Sequence, residues 1–185
     1  MPLDRDVIAN MSAAIADWEA RIATVWSSVQ SQSLSGEALV AAVDTLAAER
    51  PPGDAVALFE RACARDTAGI EDAAEGYYRA ALATSQLDAY RSSRASIQLA
   101  STLRILGHLD ESEQLLVNEL DRHLQPGNPR ALHDEARATL ALTYVAQGRT
   151  KEAAGLALSA LAPHLTRYNR SVSGNAAELV AKTWS

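Results

Sequence analysis

Hydrophobic residues recur along almost the whole chain at the three- and four-residue steps of amphipathic helices, and no segment alternates convincingly as a strand does. Proline and glycine punctuate these segments, as at Pro51-Pro52-Gly53. Asn128-Pro129 is predicted to cap and start a helix. The pattern therefore predicts an all-α protein. The predicted helices lie near residues 5–31, 36–49, 54–67, 70–84, 89–106, 109–124, 129–147, 150–162 and 165–183.

Three glycines, at positions 69, 107 and 148, each follow an apolar run and reveal a repeat with spacings of 38 and 41 residues. Seven residues before each glycine stands an alanine, and thirteen after it a leucine: Ala62, Ala100 and Ala141, then Leu82, Leu120 and Leu161. Alanine lets paired helices approach closely, glycine allows a left-handed turn, and leucine is expected to fill the layer between helices. The repeat predicts a helix-turn-helix solenoid.

The second and third copies resemble tetratricopeptide repeats through Leu99-Ala100, Leu103 and Gly107, and through Leu140-Ala141, Tyr144 and Gly148. Segments 58–62, 94–104 and 161–168 look more narrowly like a small bacterial tetratricopeptide-like family without established biochemical activity. The resemblance spans roughly residues 37 to 182. It implies a right-handed helix-turn-helix superhelix, with three helix pairs and a C-terminal capping helix over residues 51–185. Two further helices, the first of them long, would form an N-terminal extension over residues 1–50.

The first helix carries seven apolar residues at alternating steps of three and four, the a/d spacing of a coiled-coil seam. These residues are Ile8, Met11, Ile15, Trp18, Ile22, Val25 and Val29. One interpretation packs this seam against the 36–49 helix and the first repeat. The other makes it a homodimer interface, because a helix about 40 Å long can extend beyond its own domain.

Net charge excludes some partners. The 185 residues include 17 Lys and Arg against 23 Asp and Glu, a formal charge of −6. This balance argues against a nucleic-acid partner and against a polybasic membrane binder. No apolar run reaches the roughly 18 residues of a membrane span, and the start of the chain lacks a secretory signal, so a cytoplasmic protein is expected.

Motifs for catalysis or metal binding are missing from the sequence. There is no glycine-rich phosphate loop, no His-Glu-x-x-His helix, and a single cysteine, Cys63, which excludes a multi-cysteine metal site. Cys63 is expected to be a small buried hydrophobe, and the four histidines to be solvated near helix ends. We therefore predict no catalytic residue, no metal and no cofactor, and a protein that is not an enzyme.

One charged feature remains. Between Asp88 and Asp110 there is no acid, yet three arginines are present. By the repeat register, the inner face of the solenoid would carry Phe59, Arg94, Gln98, Ser101, Arg104, Leu142 and Val145. Arginine suits carboxylate recognition. The arginines could equally pair with Glu60 or Asp66 inside the fold.

The predicted function is a non-catalytic scaffold or adaptor that binds a peptide or protein segment in a concave groove. The alternative is a structural homo-oligomer that assembles through the N-terminal helix. A small-molecule sensor or an enzyme is the third interpretation, and it rests only on Cys63 and the arginines.

Overall fold

The computed structural model describes residues 5–125 and 130–181. These residues form nine α-helices, a short 3₁₀ turn at Ala162–His164 and no strand, which confirms the all-α prediction. The helices are α1 (Arg5–Gln30), α2 (Gly36–Ala47), α3 (Ala55–Thr67), α4 (Glu71–Ala83), α5 (Ala89–Ile105), α6 (Leu109–Leu124), α7 (His133–Ala146), α8 (Thr150–Leu161) and α9 (Asn169–Ala181).

Two helix starts differ from the prediction by more than one residue. The predicted start of the seventh helix at Asn128-Pro129 lies outside the described residues, and α7 begins at His133. The ninth helix begins at Asn169 rather than near residue 165, because Pro163 lies in the 3₁₀ turn and Tyr168 has a left-handed φ of 64°. A left-handed residue cannot continue an α-helix. Tyr168 therefore lies before the helix, and its side chain is exposed.

The glycine turns have the predicted geometry. Gly107 has φ 85°, and the next backbone N–H, that of His108, donates to the Leu103 carbonyl at 2.8 Å. Gly69 and Gly148 are also left-handed, with φ of 74° and 80°, and the residue after each makes the same bond. This arrangement is the Schellman motif, which ends a helix and satisfies its last carbonyls. The three turns confirm the repeat register.

The core is divided into layers between successive helix pairs. One layer joins α3 and α4 to α5 through buried Phe59, Tyr78, Leu99 and Leu103. The next joins α5 and α6 to α7 through buried side chains that include Ile97, Leu116, Ala136 and Leu140. The first two pairs thus each bury an apolar face against the first helix of the next pair, as expected of a solenoid.

The second half of α1 packs against its own chain. Trp18 and Ile22 are buried with Ala47 of α2 and Ala57 of α3, and the Trp18 indole donates to the Leu46 carbonyl at 2.7 Å. Val25 and Val29 are half-buried against a core cluster that includes Leu39 and Val43 of α2. These four seam residues are therefore committed to contacts within the molecule, as the first of the two interpretations expected.

The first half of α1 is different. Met11 is 55% exposed and Ile15 is 39% exposed. The side chain of Ile8 lies outside the described residues. The apolar seam is thus covered from Trp18 onward, whereas Met11 and Ile15 are uncovered.

At the other end of the chain, α9 packs on α8. Ala176 is fully buried, and a Cβ built on Gly155 would lie 2.7 Å from Cγ2 of Val180. Glycine at position 155 therefore sets how closely α9 approaches α8. None of the described helices is both long enough and apolar enough to cross a membrane.

Candidate binding groove

The predicted groove residues of α5 share one face of that helix. Arg94, Gln98, Ser101 and Arg104 recur at steps of three and four, and all are half-buried. On α7 the register positions equivalent to Ser101 and Arg104 hold Leu142 and Val145, which are 53% and 55% exposed. We call these six residues the inner groove. It has a basic and polar part on α5 and an apolar part on α7.

The prediction that Phe59 contributes to the surface of the inner face is wrong. The Phe59 ring is fully buried, because it fills the layer between α3, α4 and α5 against Tyr78. The guanidinium carbon of Arg94 lies 5.1 Å from the Phe59 ring centroid. At this distance the ring attracts the cation and supports its position. Phe59 therefore positions Arg94 and offers no exposed aromatic anchor to a partner.

The two inner-groove arginines have no ion pair with any carboxylate of the described residues. Arg104 also buries its Nε without a hydrogen-bond partner. The acids that could have paired with them are otherwise engaged: Glu60 accepts from the Trp26 indole at 2.7 Å, and Asp66 accepts from the Tyr78 hydroxyl at 3.1 Å. A buried donor without an acceptor is costly. Arg104 thus keeps a buried donor for an acceptor from outside the described chain, and Arg94 has no hydrogen-bonded carboxylate among the described residues.

A buried acid lies beside Arg94. Burial raises the pKa of Glu60, although the Trp26 hydrogen bond and the charges of Arg94 and Arg91 favour its ionised form. A cavity of about 480 Å³ opens here between α1 and α5. Its lining residues are Ala23, Trp26, Ser27, Val29, Gln30, Glu60 and Arg94. The long first helix therefore forms one wall at the N-terminal end of the inner groove, a contribution that the sequence analysis missed.

Cys63 is buried, as predicted, and holds a groove residue in place. Its thiol donates to Oε1 of Gln98 at 3.5 Å. Burial, followed by the charge of Glu60, raises the thiol pKa to about 12. A thiol that stays protonated at neutral pH is a poor nucleophile. Cys63 therefore acts as a packing residue that orients the Gln98 amide.

A second polar cluster lies between α5 and α6. The Ser93 hydroxyl donates to Oε1 of Glu119 and lies 2.9 Å from Nε2 of His123. The expectation that the histidines are solvated is wrong for His123, which is fully buried with its ring 5.6 Å from that of His133. The four-residue spacing of Glu119 and His123 on one helix was the available signal.

This cluster superficially resembles a catalytic triad. Ser93, Glu119 and His123 are all buried, so a substrate cannot reach the hydroxyl. Buried polar groups of this kind satisfy one another and hold adjacent helices in register. We interpret the cluster as a structural link between α5 and α6. In the part of the chain that the structure describes, no three His, Cys, Asp or Glu residues are grouped as a metal site would require.

Comparison with known protein families finds a match over residues 55–179 to the family described as Tetratrico peptide repeat. The matched range runs from the first residue of α3 into α9 and covers more than half of the chain. This family supports a general role in protein–protein interaction and is typically non-catalytic. A search of curated proteins and a search of solved structures each found no match.

Proposed function

Because the chain belongs to the tetratricopeptide-repeat family, we propose that it is a scaffold that binds a peptide or protein segment in the inner groove. The observation that supports this proposal is the half-buried position of Arg94 and Arg104 and their lack of ion pairs within the described residues. Both are half-buried on one face of α5, and neither forms an ion pair with a described carboxylate. Cations held in this way are suited to receive carboxylates from a partner.

The distance between Arg94 and Arg104 indicates how far apart two acidic groups of the bound segment should lie. Ten residues along an α-helix span about 15 Å. An extended chain covers that distance in roughly four or five residues. The expected segment therefore carries two acidic groups at about this separation, with apolar side chains that face Leu142 and Val145 on α7.

Affinity capture from the native host tests the proposal. The immobilised wild type is compared with the Arg94→Glu/Arg104→Glu variant, and an Arg167→Glu/Arg170→Glu variant applies the same charge change at two exposed positions outside the groove. We expect proteins captured by the wild type and the control to be lost from the groove variant. An identical set of captured proteins for all three would refute the proposal. Because Arg94→Glu adds an acid beside Glu60, an Arg94→Gln/Arg104→Gln variant of unchanged melting temperature serves as a second test.

Self-association through α1 is a second candidate function. It is favoured by the exposure of Met11 and Ile15, two large apolar side chains one helical turn apart. Light scattering of the full chain over a range of concentrations tests it. A mass that stays at one chain throughout would exclude this role.

A further inference from the structure

An apolar groove lies between α7 and α8, next to the inner groove, and we call it the end groove. It has a volume of about 500 Å³ and no charged residue in its lining. Its lining residues are Ala138, Ala141, Leu142 and Val145 of α7 with Thr150, Ala153, Ala154 and Ala157 of α8. Only Leu142 and Val145 also belong to the inner groove.

The repeat register explains what this groove is. Ten residues before the turn glycines stand Phe59, Ile97 and Ala138, and nine after them stand Tyr78, Leu116 and Ala157. In the first two pairs these positions are buried, because α5 and then α7 pack on them. In the third pair Ala138 and Ala157 are exposed. The end groove is therefore the stacking surface of the last pair, and it continues two interfaces already formed within the chain.

The ninth helix does not occupy this surface. It packs on the face of α8 that carries Gly155, next to Ala176 and Val180. Leu161, which the repeat predicted to fill a layer, is 49% exposed for the same reason. In the described chain, no helix follows in the position that α5 and α7 occupy on the earlier pairs.

The residues at these two repeat positions indicate what size of side chain can dock on them. They are Phe59 and Tyr78 in the first pair, Ile97 and Leu116 in the second, and the smaller Ala138 and Ala157 in the third. A helix that docks on alanine must fill the space with larger side chains of its own, since interiors pack to high density. Helix α5 packs on the first pair with Leu99 and Leu103, and α7 packs on the second pair with Leu140 and Tyr144. The end groove has only alanines at the two repeat positions, so its occupant must bring bulky aliphatic side chains of its own.

The uncovered half of α1 meets this requirement. Met11 and Ile15 are bulky, exposed and four residues apart, so they project from the same face of the helix. Residues 9–16 contain no charged side chain, which matches the uncharged end groove. A helix with anchors at this spacing is a common occupant of an apolar groove.

We propose that the first half of α1 of one copy docks into the end groove of a second copy. The contact is head to tail, because two different surfaces meet, and repetition of it closes a ring or extends a chain of copies. This inference rests on the second candidate function for the role of Met11 and Ile15, and is independent of the inner-groove arginines.

A complementation experiment tests the contact by sedimentation and light scattering. A helix variant carries Met11→Glu/Ile15→Glu, and a groove variant carries Ala154→Glu/Ala157→Glu. All four positions are exposed, so both variants are expected to fold. Ala80→Glu, at an exposed position of α4, is the matched control.

We expect the wild type and the control to associate as concentration rises, and each variant to associate at least about tenfold more weakly, since a buried unpaired carboxylate is costly. An equimolar mixture of the two variants should form a complex of twice the mass of one chain. In that complex the intact α1 of the groove variant docks into the intact end groove of the helix variant.

Three results would overturn the proposal. Wild-type protein that stays monomeric at the highest concentration leaves nothing for the contact to explain. A groove variant that associates as the wild type does would show that the end groove is not part of the contact. Two variants that stay separate when mixed would show that helix and groove do not meet. None of these results bears on the inner groove, since Leu142, Val145 and both arginines are unchanged.

Discussion

Arginine side chains show most directly what distinguishes the inner groove. Arg79 on α4 bonds both Glu75 and Glu111, and the latter contact is 2.7 Å long and reaches α6. Arg149 likewise joins Glu113 of α6 to Glu152 of α8. Both arginines connect helices. The Arg79–Glu111 pair is solvated and contributes little to stability, whereas Arg149 pairs with Glu152, which is buried. Arg94 and Arg104 have no such partner within the described residues, which is the basis of the proposal that they bind a partner's carboxylates.

The turn glycines give a prediction at the residue scale. Gly107→Val should lower the free energy of unfolding by about 1–2 kcal/mol, because φ is 85° and a β-branched residue is strained in the left-handed region. Chemical denaturation monitored by circular dichroism measures this loss.

Gly76 supplies a better matched control. It lies within α4, and a Cβ at this position meets no atom within 4 Å. Gly76→Val should therefore be neutral or slightly stabilising, since valine has the higher helix propensity. Equal losses of stability for Gly76→Val and Gly107→Val would show that the turn conformation is not the cause.

At the scale of elements, the contact of α8 with α9 depends on the absence of one methyl group. A Cβ at position 155 would lie 2.7 Å from Cγ2 of Val180 and 2.9 Å from the Ala176 carbonyl oxygen. The second neighbour is backbone and cannot rotate away. Gly155→Ala should therefore displace α9, even though alanine is intrinsically the better helix former by about 1 kcal/mol.

Hydrogen exchange at the α9 amides measures this displacement. We expect faster exchange throughout α9 in Gly155→Ala, because the helix loses its close packing. Gly174→Ala on α9 itself is the control: a Cβ there meets nothing within 4 Å, so exchange should be unchanged or slower. Protection of α9 in the Gly155 variant equal to that in the wild type would contradict the close-contact argument.

At the scale of the whole molecule, α1 connects the N-terminal helices to the repeats. Trp18 and Ile22 cover α2 and α3, and the Trp26 indole donates to buried Glu60. Removal of residues 1–32 should therefore lower the melting temperature sharply. Loss of one buried tryptophan typically costs about 3–5 kcal/mol, and Glu60 would also lose its donor.

Thermal unfolding of the truncated and full-length proteins measures this effect, with Met11→Ala/Ile15→Ala as the control. Those two side chains are exposed, so their truncation should leave the melting temperature nearly unchanged. A truncated protein as stable as the full chain would mean that α1 acts only between molecules.

Local physics made most of the helices and turns predictable from the sequence. Apolar periodicity, glycine in left-handed turns and alanine at close helix contacts all act within a few residues, so the bounds of α2 to α6 and of α8 differ from prediction by at most two residues. The start of α9 was missed, since Pro163 and Tyr168 stop a segment whose apolar pattern is helical. The repeat register also identified which face of α5 carries Arg94 and Arg104.

Only the tertiary structure determined how deeply each side chain is buried and which helices contact each other, because both depend on which distant helix packs on a given face. Periodicity placed Phe59 on the groove-facing side but could not show that α5 buries it. Periodicity also predicted a continuous apolar seam along α1. It could not show that α2 and α3 cover only the second half of that seam. Sequence could not show that α9 packs at Gly155 and leaves the end groove open, because both faces of α8 are apolar and only three-dimensional packing selects between them.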